Sequence, residues 1–109
     1  MNRYTDKVAL ITGSSSGIGR GIAEALAAEG AAVVINHLRD GENAENAATA
    51  IRALGRRALV HEADVAQREA VAGLFDAAVA EFGHVDVVVA NAAFSIRELT
   101  VDAVWENVE

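Results

Sequence analysis

Four short aliphatic runs alternate with stretches of helix length in which apolar residues return every third or fourth position. This alternation limits the chain to one class of fold. Lys7–Thr12 is the first run and reads as a buried strand. Ile18, Ile22, Ala25 and Leu26 then carry helical spacing from Gly17 to Glu29, and Gly30 stands where a helix-ending glycine belongs. Ala32–Asn36 is the second strand, and a second helix runs from about Glu42 to Leu54 with Gly55 after it. Ala58–His61 is the third strand. Val71, Leu74, Phe75, Ala78, Val79 and Phe82 mark one face of a third helix that stops before Gly83. Val85–Ala90 is the fourth strand and the most apolar one, and Leu99–Val108 opens a further helix. Strands that alternate with helices imply an α/β fold, in which right-handed crossovers build a parallel sheet with helices on both faces. By analogy with doubly wound sheets the expected strand order is 3-2-1-4, with the fourth strand at an edge.

The first strand runs directly into Gly13-Ser14-Ser15-Ser16-Gly17-Ile18-Gly19, where a helix begins. Amides at a helix N-terminus lack internal partners and lie at the positive end of the helix dipole. A turn of this kind accepts an anion such as pyrophosphate, provided no Cβ blocks its approach. Gly13, Gly17 and Gly19 are read as supplying that clearance, and Ser14, Ser15 and Ser16 as adding hydroxyl donors.

Charge narrows the partners. Lys and Arg number 9 against 16 Asp and Glu, a net of −7, which argues against a nucleic-acid or anionic-membrane surface. The imbalance lies in residues 61–109, with two basic and ten acidic groups, whereas residues 1–60 carry seven and six and would receive an anion better. Cysteine is absent, which removes disulfides, thiolate metal sites and cysteine nucleophiles. No apolar run approaches the roughly 20 residues that span a bilayer. The expectation is a cytoplasmic chain that binds neither membrane nor nucleic acid. His37, His61 and His84 each fall near a strand end without metal-ligand spacing, so no metal site is expected.

The spacing Thr12-Gly13-x-x-x-Gly17-x-Gly19 resembles the cofactor motif of the short-chain dehydrogenase/reductase family. Asp64-Val65, after the third strand, is similar to the family's acidic contact to the adenine amino group. Val89-Ala90-Asn91-Ala92-Ala93 is similar to its Asn-Asn-Ala-Gly segment, with Asn91 and Ala92 matching and Ala90 and Ala93 departing. The resemblance covers all 109 residues and less than half of a typical member. It implies a Rossmann-type, incomplete sheet, with residues 1–109 forming the N-terminal part of a dinucleotide-binding domain. It also implies an oxidoreductase that transfers hydride between NADP(H) and a carbonyl or alcohol substrate, and a homo-oligomer in its complete form. The cofactor-binding residues it implies are Gly13, Ser14, Ser15, Ser16, Gly17, Ile18, Gly19, Asp64, Val65, Asn91 and Ala92.

Cofactor choice turns on the end of the second strand, Ile35-Asn36-His37-Leu38-Arg39-Asp40. NAD-selective sites place a carboxylate there for the ribose hydroxyls. Here no acid occurs before Asp40, and Arg39 can meet a 2′-phosphate with charge-assisted hydrogen bonds. The sequence therefore favours NADP over NAD, the competing reading being Arg39 as a solvated loop residue.

The family's proton chemistry uses a tyrosine and a lysine four positions later. This chain has one of each, Tyr4 and Lys7, three apart and before the first strand, so no catalytic residue is assigned. Ser95 reads as a loop serine and Trp105 as helix packing. The expectation is a truncated enzyme that is inactive by itself, the alternative being a stand-alone nucleotide-binding module.

Overall fold

The computed structural model describes residues 2–92. Four strands and three helices alternate: β1 (Val8–Ile11), α1 (Gly17–Ala28), β2 (Ala32–His37), α2 (Gly41–Ala53), β3 (Ala58–Glu62), α3 (Arg68–Phe82) and β4 (Val87–Val89). All pairings are parallel and the order is β3-β2-β1-β4, as the alternation implied. Leu10 sits in register with Val34 on one side and Val88 on the other.

Successive strand residues point to opposite faces, so each strand feeds two cores. On one face Ala9, Ile11, Val33 and Ile35 pack under α1 and α2, which contribute Ala23, Ala27, Ala44, Ala47 and Ile51. On the other, Val8, Leu10, Ala32 and Val34 meet Leu74, Ala78 and Phe82 of α3. β1 and β2 are buried along their whole length, which is why they read as unbroken apolar runs.

Several expectations need correction. Ile18 was expected on the apolar face of α1, but it is 78% exposed, and Ala25 is exposed too. The buried stripe of α1 is instead Gly19, Ala23 and Ala27, flanked by Ile22 and Leu26. Val79 likewise leaves the α3 core face. β4 is shorter than Val85–Ala90. The Asp86 carboxylate accepts the Val8 N–H at 2.8 Å and the Asp86 N–H bonds Val8 O at 2.9 Å, so a side chain occupies the first rung where the ladder would begin. The expected helix from Leu99 to Val108 lies outside the described residues, as do Ala93, Ser95 and Trp105.

Because the sheet is parallel, the carboxyl ends of all four strands share one edge. The segments that follow β1, β2, β3 and β4 therefore meet there, and the strand order reverses between β1 and β4.

Candidate functional site

Thr12 fastens the end of β4 to the end of β1. Its N–H donates to Val89 O at 3.1 Å, and its Oγ1 accepts the N–H groups of Asn91 and Ala92, each at 2.9 Å. The Asn91 amide Nδ2 returns hydrogen bonds to the carbonyls of Thr12 and Gly13, at 3.3 and 3.1 Å. Asn91 and Ala92 thus form one side of the glycine turn.

The turn is also stitched to β2. Gly13 N–H donates to Asn36 Oδ1 at 3.0 Å, Ser14 N–H to Asn36 O at 2.9 Å, and Asn36 N–H to Ser14 Oγ at 3.1 Å. The Ser14 hydroxyl donates to Ile11 O at 2.7 Å and is fully buried. The expectation of Ser14 as a hydroxyl donor to a ligand is therefore corrected, because its proton is already committed to the backbone. Ser15 is also engaged, donating to Asp40 Oδ2 at 2.6 Å. Only Ser16 is exposed, as the extended N-cap of α1 (φ −153°), and its side chain makes no capping bond.

The three glycines do different work. A Cβ on Gly19 would lie 2.3 Å from Gly13 O and 2.5 Å from Asn91 Nδ2, so this position is closed to a side chain by the protein's own packing. Gly13 has φ +60° and a Cβ there would press on Ala92 Cα at 3.0 Å. Gly17 has φ +61° and nothing within 4 Å of its Cβ position. The space beside Gly17 is thus open, whereas Gly13 and Gly19 serve close approach of chain to chain. The first turn of α1 carries no acidic residue, so the positive end of its dipole is not neutralised from within the helix.

A cleft of about 500 Å³ runs along this edge, lined on one wall by Gly13, Ser15, Ser16 and Ala92 and on the other by Ala63, Asp64, Val65 and Ala66. Asn36, His37, Leu38 and Asp40 lie between. Asp64 is shaped by its own turn. Its Oδ1 accepts the Ala66 N–H at 3.0 Å and its carbonyl the Gln67 N–H at 2.9 Å. Hydrogen bonds from Ser15 and then Asn43 hold the Asp40 carboxyl below its ordinary value, against a smaller opposing effect of desolvation. Arg39 is exposed and adopts φ +56°, an uncommon conformation for a residue with a side chain, with its N–H held by Glu62 Oε2 at 2.9 Å. Among the described residues the Arg39 guanidinium has no ion-pair partner. Among them, too, no group of His, Asp and Glu could hold a metal ion, and no helix is long and apolar enough to cross a membrane.

Residues 7–108 match the family model described as short chain dehydrogenase. The chain belongs to that family. A cis-4-hydroxycyclohexanecarboxylate dehydrogenase of Sinomonas cyclohexanicum is 44% identical over 110 residues, covering 96% of this chain and 43% of the relative. A versicolorin reductase of Emericella nidulans is 40% identical over 104 residues, covering 92% and 39%. Among solved structures, a short chain dehydrogenase from Burkholderia cenocepacia in complex with NADP superposes with a TM-score of 0.81 at 43% identity, over 94% of this chain and 44% of that one. The chain spans less than half the length of these relatives. In this short-chain dehydrogenase chain, Thr12 and Asn36 are the site residues that sequence reasoning passed over as such. Thr12 stood first in the glycine motif without a role of its own, and the signal for Asn36 was a polar residue closing an otherwise apolar strand beside a glycine turn.

Proposed function

We propose that residues 1–109 supply the N-terminal part of a dinucleotide-binding domain whose cleft takes NADP(H) in preference to NAD(H), within an oxidoreductase acting on a carbonyl or alcohol. The observation that carries this reading is the start of α1. An acid-free first turn opens behind Gly17, where positive φ and free space let a pyrophosphate approach backbone amides. The residues present fit such a group: Ser16, Gly17 and Ile18 at the phosphates, Asp64 and Val65 at the adenine, Asn91 and Ala92 beside the path toward the nicotinamide. Arg39 is the residue for the 2′-phosphate, since it is exposed and its guanidinium has no ion-pair partner among the described residues. The NADP bound to the 43% identical Burkholderia neighbour supports the same choice.

When bound, the nicotinamide ring supplies or accepts the hydride. The chain's own residues bind and orient the cofactor. Its one tyrosine cannot serve the substrate oxygen, because Tyr4 N–H bonds Glu29 O at 2.9 Å, beyond the end of α1 and at the opposite edge of the sheet. We therefore read the chain as a binding part that does not turn over by itself. Titration calorimetry with NADPH and NADH tests the reading. NADPH should bind about tenfold or more tighter. Equal affinities would overturn the role of Arg39, and binding of neither would overturn the site.

A further inference from the structure

Asn36 closes the apolar run of β2 yet is only 2% exposed, so its carboxamide must find partners inside the protein. It finds them on both walls of the cleft. Oδ1 accepts the N–H of Gly13, at the root of the glycine turn, at 3.0 Å. Nδ2 donates to the carbonyl of Ala63 at 3.1 Å, immediately before Asp64, and to that of His61 at 3.4 Å. The orientation of the amide is chemically forced. Turning it over would set its NH₂ against the Gly13 N–H and its oxygen against two carbonyls. The main chain of Asn36 adds the two bonds to Ser14 described above.

We infer that Asn36 is a positioning residue, a buried strut that fixes the phosphate wall of the cleft relative to the adenine wall before any cofactor arrives. This rests on the dinucleotide reading of the cleft and deepens it. Neither of the nearest substitutes can do the same. An aspartate at position 36 keeps the acceptor for Gly13 but sets a buried negative charge against the Ala63 and His61 carbonyls. A leucine, which shares the branched heavy-atom skeleton, leaves the Gly13 N–H and the Ala63 carbonyl without the partner they have now. A ligand that touches one wall gains little from the strut. A ligand that spans both walls gains from their being held in register, because the ordering is done before binding.

That difference gives the test. Affinities of the parent chain, Asn36→Asp and Asn36→Leu are measured for NADPH, which reaches both walls, and for adenosine 2′-monophosphate, which reaches only the Asp64 wall and Arg39. NADPH affinity should fall by about tenfold or more in both variants while adenosine 2′-monophosphate stays within about threefold. Equal losses for the two ligands, or no loss for NADPH, would overturn the strut. Failure of the parent chain to bind NADPH would overturn the dinucleotide reading and the strut with it. Should the variants not fold, hydrogen exchange in the ligand-free parent decides. Slow exchange of the Gly13 amide, which the Asn36 carboxamide alone accepts, supports the strut, and exchange as fast as in a solvated turn overturns it.

Discussion

The Ser15 hydroxyl donates to Asp40 Oδ2 at 2.6 Å and so ties the glycine turn after β1 to the N-cap of α2. With the Asn43 contact it lowers the Asp40 pKa from its ordinary 3.8. A carboxyl whose folded value is depressed contributes stability that is fully present above its unfolded value and is lost as pH falls through the folded one. Asp40→Asn should therefore be less stable than the parent at neutral pH, and the gap should narrow as pH falls through and below the ordinary value of 3.8. Urea denaturation across that range measures it. A gap that stays constant with pH would show that the Asp40 charge contributes nothing.

Gly17 and Gly19 should lose different amounts of stability to alanine, for different reasons. Gly17→Ala meets open space and costs only the left-handed backbone penalty of about 1–2 kcal/mol, but it puts a methyl in the proposed phosphate path. Gly19→Ala drives a methyl into Gly13 O and should reach or exceed the upper end of the about 1–3 kcal/mol that overpacking costs. Chemical denaturation separates the two. The larger loss falling on Gly17→Ala would contradict the division of labour between them.

Thr12→Val removes the oxygen that accepts two backbone amides at 2.9 Å, from Asn91 and Ala92. The expected cost is about 1–3 kcal/mol, while Thr12→Ser, which keeps the hydroxyl, should recover most of it. Denaturation midpoints of the pair give the answer, and equal losses in the two variants would contradict the assignment of the effect to the hydroxyl.

Arg39 adopts φ +56°, so a test of its charge must preserve the backbone. Asparagine tolerates this conformation better than most residues. Arg39→Asn should weaken NADPH by roughly 1.5–3 kcal/mol, about ten- to a hundredfold, and leave NADH nearly unchanged. Arg39→Asp should weaken NADPH further through repulsion of the 2′-phosphate. Parallel losses for the two cofactors in a fluorescence titration would make Arg39 a bystander.

The fold was legible because its signals are local. The apolar runs of β1 and β2 are buried on both faces, and Gly30 and Gly83 adopt positive φ at the ends of α1 and α3. What escaped the sequence reading depends on distant partners. Ile18 has the spacing of a core residue, but it sits in the first turn of α1 and is exposed, while the buried stripe runs through Gly19, Ala23 and Ala27. Ser14 and Ser15 look alike in sequence, yet one is turned inward to Ile11 O and the other sideways to a carboxylate 25 residues away. Asn36 acquires its role from Gly13 and Ala63, 23 and 27 residues distant, which no periodicity can report.

The central claim is that the glycine turn, the end of β2 and the turn after β3 form one dinucleotide site. Adding NADPH to isotope-labelled protein and following backbone amide shifts tests it most directly. The expected result is large changes confined to Ser16–Gly19, Leu38–Asp40, Asp64–Ala66 and Asn91–Ala92, with the opposite edge around Lys7, Gly30 and Gly55 unmoved. Changes centred on that opposite edge, or none at saturating NADPH, would contradict the account.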